Sequence, residues 1–307
     1  MRVVYLGTPD FAVKPLERLL TVSGIKIVAV ITNEDKPVGR KQILTPPPVK
    51  VFAENNGLKV YQYKSIRKEG VDDLKNLAPD LMVTCAFGQI LSEEILDIPK
   101  HGTFNIHASI LPKYRGPSPV QYAILNGEKT TGVTIMRTDI GIDTGDIIYT
   151  KTLDINENET SGELLDRLSF VGADAIEKVV VDLMVGKVEF TPQNHETATH
   201  TKMLNKSNAL IDFSKTSEEV VNKIRAYNPS PVAYTVYKGE NIKIYSAKVV
   251  EGEGEIGAVI NSDKKLVIAC KKGAIEVLTL QKAGGKVMDA RSFLLGNKIN
   301  LGDKFEI

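Results

Sequence analysis

The sequence lacks the features that mark several common protein classes. No apolar run approaches the roughly 18 residues that a membrane-spanning helix needs. The N-terminal residues turn polar too soon for a signal peptide and predict a first strand instead. The two cysteines, Cys85 and Cys270, lie far apart in strand-like runs, and no Cys/His cluster has zinc spacing. We therefore expect a reduced, cytoplasmic protein without a disulfide, a structural zinc ion or a membrane segment.

Motifs for nucleotide cofactors are also scarce. No G-x-G-x-x-G run follows the first predicted strand, and no Walker sequence occurs in the chain. The first turn, Gly7-Thr8-Pro9-Asp10, has too few glycines to close backbone amides around a phosphate. A nicotinamide-dependent oxidoreductase is therefore disfavoured. The absence of a G-x-S-x-G elbow likewise leaves a serine hydrolase as a weak alternative, although Ser109 follows His107 closely.

The charged residues are unevenly distributed. The 307 residues carry a formal net charge of +1, but residues 206–307 contain 16 Lys or Arg and 12 Asp or Glu, a balance of +4. The remaining residues then carry −3. A mildly basic C-terminal part is typical of a surface that faces a polyanion, and it is equally typical of an ordinary lysine-rich solvated face.

The first half of the chain alternates strand-like and helical segments. Apolar runs such as residues 27–30 are typical of strands that are buried on both faces of a parallel sheet. This alternation predicts an α/β domain with helices on both faces and ligands at the carboxyl ends of the strands. The predicted strands are 3–6, 25–31, 58–61, 81–85, 131–136 and 147–153, and the predicted helices are 11–21, 48–55, 70–77, 116–127 and 161–185.

The second half has a different pattern. A helix at 217–227 is followed by short strand-like runs separated by turns, which favours a small barrel with the OB-fold as first choice. The runs are 232–237, 241–249, 257–260, 266–269 and 274–280. We predict a catalytic domain at 1–188, a linker at 189–205 and a barrel domain at 206–307. His195 and His200 would then be solvated linker residues.

Three polar residues suggest a reaction site. Asn105 and His107 lie two apart on a predicted strand, so their side chains share one face. Asp143 lies on a glycine-containing turn before the next strand. An amide can stabilise an oxyanion, while the imidazole and the carboxylate can handle protons. A single strand histidine is more often structural, but the combination favours transfer of a carbonyl group to an amine without a covalent enzyme intermediate. Metal binding is a weak alternative because further ligands at useful spacing are missing.

The segment from Thr32 to Lys50 is a long loop with no obvious element of its own. Loops of this length in compact domains are usually functional or disordered. Its basic residues suit a polyanion, and a solvated charged loop is the alternative. These residues are Lys36, Arg40, Lys41 and Lys50.

The stretch from Asn105 to Gly116 resembles the signature of the folate-dependent formyltransferases. The catalytic asparagine, histidine and aspartate of that family match Asn105, His107 and Asp143. The resemblance covers nearly the whole chain and is strongest to the members that act on methionyl-tRNA. The other matching stretches are 7–12, 35–40, 48–50, 225–229 and 280–286.

This resemblance implies a fold, a donor and an acceptor. The fold would be a Rossmann-like formyltransferase domain with a mostly parallel sheet, followed by an OB-like β-barrel that helps to hold tRNA. The donor would be 10-formyltetrahydrofolate and the acceptor the α-amine of initiator methionyl-tRNA, in translation initiation. No metal and no obligate protein partner are implied.

The resemblance also assigns site residues. Asn105, His107 and Asp143 would be catalytic. The folate would be held by Cys85, Ala86, Phe87, Gly88, Gln89, Ile90, Ser109, Leu111, Pro112, Ile140, Gly141 and Ile142. The tRNA would be contacted by Lys36, Arg40, Lys41 and Arg115.

The sequence departs from the family at a few positions. A second glycine and two basic residues usually follow the loop arginine, where this chain has Lys41, Gln42 and Ile43. Ser230 stands where the family usually has tryptophan. These changes leave the catalytic residues untouched and affect the expected tRNA contacts of the loop and the packing of the domains.

Three other functions fit parts of the sequence less well. The predicted barrel at residues 217–307 argues against a formyltransferase that acts on glycinamide substrates. The loop at 35–50 argues against one that acts on sugar substrates. An RNA-binding module with an inert enzyme domain is opposed by the intact Asn105, His107 and Asp143. The third alternative is a 10-formyltetrahydrofolate hydrolase, which would use water as the acceptor. Release of the folate in the absence of tRNA would favour it.

Overall fold

The computed structural model describes residues 1–39 and 41–306. Its contacts divide into two compact units that interleave along the chain. Unit 1 comprises Met1–Gly116, Thr130–Asp154 and Leu165–His200, and unit 2 comprises Pro117–Lys129, Ile155–Leu164 and the chain from Thr201 onward. The domain boundaries predicted at residues 188 and 205 stay a prediction.

The elements up to residue 184 follow the predicted alternation. The strands are β1 (Arg2–Gly7), β2 (Lys26–Thr32), β3 (Lys36–Val38), β4 (Ile43–Thr45), β5 (Val60–Gln62), β6 (Leu81–Cys85), β7 (Thr103–His107), β8 (Thr130–Arg137) and β9 (Ile147–Asp154). The helices are α1 (Val13–Thr21), α2 (Pro48–Asn55), α3 (Ile66–Glu69), α4 (Val71–Leu77), α5 (Glu93–Leu96), α6 (Pro119–Leu125) and α7 (Ser161–Met184). Helix α6 belongs to unit 2.

Unit 1 is built on one large sheet. Among the described residues, seven strands form this sheet in the order β5-β2-β1-β6-β7-β8-β9. The first five run parallel, while β8 and β9 pair antiparallel. Val3, Val4, Tyr5 and Leu6 of β1 are fully buried, as expected of a strand that is covered on both faces of a parallel sheet. The predicted mostly parallel sheet is confirmed, and the carboxyl ends of its parallel strands share one edge.

The segment from 32 to 50 contains a hairpin, which corrects the prediction of a loop without elements. Strands β3 and β4 pair antiparallel, with Lys36 opposite Thr45. Every residue of both strands is exposed, so neither strand shows the apolar alternation from which strands are predicted. Arg40, one of the predicted tRNA contacts, lies outside the described residues.

Unit 2 contains a curled antiparallel sheet. Its elements are α8 (Ser217–Ala226), β10 (Tyr234–Tyr237), β11 (Glu240–Val250), β12 (Val259–Asn261), β13 (Leu266–Ala269), β14 (Ala274–Lys282), β15 (Met288–Asp289) and α9 (Ala290–Gly296). The strand order is β10-β11-β14-β13-β12, with β15 on β14. This sheet confirms the predicted small barrel-like domain.

The C-terminal segment bridges the two edges of that sheet. The amide of Glu306 donates to the carbonyl of Val236 in β10, and the amide of Phe305 donates to Gly257 just before β12. Phe305 is buried between them. The last described residues therefore take part in closing the barrel, a role that their sequence did not indicate.

Within the described part of the chain, no helix combines the length and the apolar character needed to cross a membrane.

Candidate active site

Strand β7 brings the two predicted catalytic side chains to one face. Asn105 and His107 both point toward Asp143, which lies on the turn between β8 and β9. Asn105 Nδ2 lies 3.4 Å from Asp143 Oδ1, and His107 Nδ1 lies 3.5 Å from Asp143 Oδ2. The three residues assigned to catalysis therefore meet around one carboxylate, at the sheet edge where ligands of such folds bind.

The turn that carries Asp143 is tightly constrained. Asp143 has a φ of +53°, in the left-handed region that non-glycine residues rarely adopt. Its Oδ2 accepts a 2.7 Å hydrogen bond from the amide of Gly116. Two residues later, a Cβ on Gly145 would collide with the carbonyl oxygen of Arg137, so the close approach to β8 requires glycine. The amide of Gly116 and the glycine at position 145 thus fix the direction of the Asp143 carboxylate.

A backbone contact fixes the tautomer of His107. The imidazole is 6% exposed, and its Nε2 lies 2.9 Å from the carbonyl oxygen of Tyr114. Because a carbonyl only accepts hydrogen bonds, Nε2 must carry a proton and donate. Nδ1 is then the nitrogen that faces Asp143. Tyr114 presents this carbonyl from a left-handed conformation of its own, with a φ of +61°.

Thr84 and Asp143 together fix the orientation of the Asn105 amide, because the Asp143 carboxylate can only accept from Nδ2. The hydroxyl of Thr84, on the neighbouring strand β6, donates a 2.9 Å hydrogen bond to Asn105 Oδ1. This assignment leaves Nδ2, with its two donors, directed toward the site. Sequence reasoning missed Thr84 because it lies inside an apolar run and reads as part of the strand core.

The arrangement suits stabilisation of an oxyanion beside a proton acceptor. Amide and imidazole N–H groups flank a carboxylate in a largely buried setting, where such donors act strongly. Ser109 is fully buried and its hydroxyl donates to the carbonyl of Lys113, so it is poorly placed as a nucleophile. Among the described residues, no group of three or more His, Cys, Asp or Glu side chains could hold a metal ion.

The predicted folate-binding run 85–90 begins where β6 ends. Cys85 is buried, and burial raises the pKa of its thiol to about 12. The carbonyl of Phe87 accepts from Asn33 Nδ2 at 2.8 Å, and Gln89 Nε2 donates to Asn33 Oδ1 at 2.8 Å. Asn33 therefore anchors this run to the end of β2. Ala86, Gly88 and Ile90 are exposed.

The other residues assigned to folate lie on both sides of the catalytic group. Leu111 is buried after β7 and Pro112 is half-buried, and the amide of Leu111 donates to the hydroxyl of Thr134 in β8. Ile140 and Ile142 are 75% and 65% exposed on the turn before Asp143. Gly141 donates its amide to Asp139, which also accepts from Thr144 and so closes the turn.

The residues assigned to tRNA divide into two groups. Lys36 and Lys41 are exposed on and beside the β3–β4 hairpin. Arg115 differs from the prediction, because it is 3% exposed and its guanidinium donates to Gln193 Oε1. Its Nη2 also lies 3.2 Å from His195 Nδ1, so His195 is exposed but not simply solvated. The structure places Arg115 inside unit 1 rather than on the surface.

Profiles of known families match both parts of the chain. The family described as "Formyl transferase" matches residues 1–180, and "Formyl transferase, C-terminal domain" matches residues 203–298. A methionyl-tRNA formyltransferase of Macrococcus caseolyticus is 45% identical over 307 residues, covering 99% of this chain and 98% of its own. The chain belongs to the methionyl-tRNA formyltransferase family. The corresponding protein of Bacillus subtilis is 41% identical over 307 residues, covering 98% of this chain and 96% of its own.

Solved structures agree with this family. An N-formyltransferase from Helicobacter canadensis, in complex with folinic acid and dTDP-3-aminofucose, superposes with a TM-score of 0.68 at 26% identity, covering 91% of this chain and 98% of that one. HypX from Aquifex aeolicus with tetrahydrofolic acid gives a TM-score of 0.64 at 16% identity, covering 98% and 50%, and concerns the fold alone. The predicted membership of the methionyl-tRNA formyltransferase family is confirmed, and with it a folate-dependent one-carbon transferase.

Proposed function

We propose that this chain transfers the formyl group of 10-formyltetrahydrofolate to the α-amine of initiator methionyl-tRNA. The observation that carries the proposal is the convergence of Asn105, His107 and Asp143 in a chain whose full length matches methionyl-tRNA formyltransferases. The product would serve translation initiation, and the location we propose is the cytoplasm.

The first step is attack of the neutral α-amine on the formyl carbon. The new C–N bond places negative charge on the formyl oxygen, where Asn105 Nδ2 donates. Because Nε2 of His107 is committed to Tyr114, Nδ1 is the nitrogen that donates to this oxygen when it is protonated. Asp143 stabilises the resulting positive charge.

The second step breaks the bond between the formyl carbon and the folate nitrogen. Asp143, through a water molecule, takes the proton that the amine loses, and that proton passes to the folate nitrogen as it leaves. The C–N bond formed and the C–N bond broken balance, and nothing is oxidised or reduced. No covalent bond to the protein is needed.

Substrate binding divides between two regions in this proposal. Backbone groups of residues 85–90 and 140–143 hold the pterin. The support for this is that Ala86, Gly88 and Ile90 in the first run and residues 140–142 in the second are exposed. Lys36, Arg40 and Lys41 contact the tRNA together with the basic barrel domain.

A comparison of acceptors tests the proposal. The purified protein is given formyl-labelled 10-formyltetrahydrofolate with Met-tRNA, uncharged tRNA, glycinamide ribonucleotide or a dTDP-amino sugar. We expect label to be transferred to Met-tRNA alone. Transfer to glycinamide ribonucleotide or to the amino sugar, with none to Met-tRNA, would overturn the proposed acceptor.

A further inference from the structure

The side chain of Gln193 joins Arg115 to the turn that carries Asp143. Gln193 is 5% exposed, although it lies in a polar segment that the sequence suggests is a linker. Its Nε2 donates to the carbonyl of Asp143 at 3.0 Å and to that of Gly145 at 2.6 Å. Its Oε1 accepts from Nε and Nη2 of Arg115 at 3.2 and 2.7 Å.

These four contacts leave the amide only one orientation. A glutamine side chain has two N–H donors and one oxygen that accepts two hydrogen bonds, and all are used here. A flipped amide would set its N–H groups against the guanidinium, which only donates, and its oxygen against two carbonyls, which only accept. Arg115 therefore determines which end of the Gln193 amide faces the turn.

The contacts of Gln193 fall where the backbone most needs support. Asp143 is held at a φ of +53°, a left-handed conformation that is unfavourable for a non-glycine residue. The Gln193 amide ties down the carbonyl of that residue and the carbonyl two positions later. Gly116, next to Arg115 in the chain, donates its amide to the carboxylate of Asp143. Arg115, through Gln193, thus holds the backbone of the turn, and Gly116 holds the side chain of Asp143.

The segment around Gln193 is itself anchored to unit 1. The backbone of Thr191 pairs with Ile147 at the start of β9, with hydrogen bonds of 2.8 Å in both directions. Further along, the carbonyl of Thr199 accepts from the amide of Arg115 at 2.8 Å. The backbone is therefore held both before and after Gln193 in the chain, so its side chain can keep the turn in one position.

We propose that Gln193 is a positioning residue of the formyl-transfer reaction, which holds Asp143 against Asn105 and His107. Its hydrogen bonds go to the carbonyls of Asp143 and Gly145 and to Arg115, so it acts through the backbone of the turn. This inference rests on the proposed function, because it assigns Gln193 to a reaction in which Asp143 handles the proton.

The variant Gln193→Glu tests the donor role with almost no change of shape. Glutamate still accepts from Arg115 but, when ionised, it cannot donate to the carbonyls of Asp143 and Gly145. We expect kcat for Met-tRNA formylation to fall at least tenfold, while KM for Met-tRNA stays within twofold of the wild type. The control Glu196→Gln makes the reverse change at an exposed position of the same segment and leaves both constants unchanged.

Amide hydrogen exchange gives a second readout that needs no activity. In Gln193→Ala, exchange in residues 141–146 should be at least tenfold faster than in the wild type, while exchange in β1 and β6 stays unchanged. A kcat for Gln193→Glu within twofold of the wild type, or unchanged exchange in 141–146, would overturn the inference. If the wild type failed to formylate Met-tRNA, the proposed function would fall, and the exchange result would still judge the contact of Gln193 with the turn.

Discussion

The carbonyl oxygen of Tyr114 decides which nitrogen of His107 is available to a substrate. Because that oxygen can only accept, it holds the proton on Nε2 and leaves Nδ1 beside Asp143. On the neighbouring strand, Thr84 supports the orientation of Asn105 by donating to its Oδ1, which leaves Nδ2 facing Asp143. Two groups other than the three catalytic residues therefore support the donors that face the developing oxyanion.

Replacement of Thr84 by valine tests this role. Thr84→Val keeps the shape of the side chain and removes the hydroxyl, so the Asn105 amide can rotate away from its working orientation. One such hydrogen bond contributes about 1 kcal/mol, and we expect kcat to fall about fivefold to tenfold with no change in KM for Met-tRNA. Steady-state kinetics at saturating folate measure both constants.

Thr103 provides the matched control. It lies at the start of β7 and is buried like Thr84, with 1% of its surface exposed against 7% for Thr84. Its hydroxyl has no hydrogen-bond partner among the described residues. Thr103→Val should leave kcat unchanged and the protein as stable or slightly more stable, because a buried unpaired hydroxyl is unfavourable. Equal losses of kcat in the two variants would contradict the role of Thr84.

Among the structural elements, the C-terminal segment carries a carboxylate, Asp303, whose contacts depend on its ionisation. The carboxylate of Asp303 accepts from the hydroxyl of Tyr237 in β10, from the amide of Asn300 and from Lys238. These contacts lower the pKa of Asp303 from 3.8 to about 2. A carboxyl whose pKa is lower in the folded protein than in the unfolded chain stabilises the fold at pH values above its pKa in the unfolded chain. That stabilisation is lost as the pH falls through the pKa of the carboxyl in the folded protein.

The variant Asp303→Asn should therefore unfold at a lower temperature than the wild type near pH 6. The difference in Tm should shrink to about half near pH 3 and vanish below about pH 2, because the wild-type carboxylate is then protonated and carries no charge, like the asparagine. Thermal unfolding followed by circular dichroism at several pH values measures this. Asp263→Asn, at an exposed position between β12 and β13, is the control. A difference in Tm that did not depend on pH would refute the account.

The β3–β4 hairpin makes a separate prediction about tRNA. Lys41 is exposed beside it, and a phosphate contact there would contribute mainly to tRNA binding. Lys41→Ala should raise KM for Met-tRNA about threefold to tenfold and leave KM for the folate unchanged. The slope of the logarithm of tRNA affinity against the logarithm of salt concentration should become shallower by about one. Lys68→Ala, an exposed lysine on α3, should behave as the wild type. Unchanged salt dependence in Lys41→Ala would contradict the proposed contact of Lys41 with tRNA.

Elements with a buried face could be predicted from the sequence, whereas those without one could not. The strands of the large sheet and helix α7 follow from apolar periodicity, and Asn105 and His107 follow from the two-residue repeat of a strand. The β3–β4 hairpin was missed because its residues are all exposed. Gln193 was missed because its partners lie about 50 and 78 residues away, and a single polar residue in a polar segment carries no local signal.

Across the whole molecule, the chemistry is assembled within unit 1 from distant parts of the chain. Thr84, Asn105, His107, Asp143 and Gln193 all belong to this unit, while the curled sheet and the C-terminal segment belong to unit 2. The family profiles match both parts, and the curated relatives match almost the full length. We therefore expect catalytic substitutions in unit 1 to lower kcat without weakening tRNA binding.

A single-turnover experiment tests the central claim that Asn105, His107 and Asp143 transfer the formyl group directly to an amine. Enzyme in excess is mixed with Met-tRNA and formyl-labelled 10-formyltetrahydrofolate, quenched and separated into protein, tRNA and small molecules. The wild type should place all transferred label in formylmethionine on the tRNA. His107→Ala should transfer it at least about 100-fold more slowly, as loss of an oxyanion donor predicts, with unchanged tRNA affinity. Label released as formate, label bound to the protein, or full activity in His107→Ala would contradict the account.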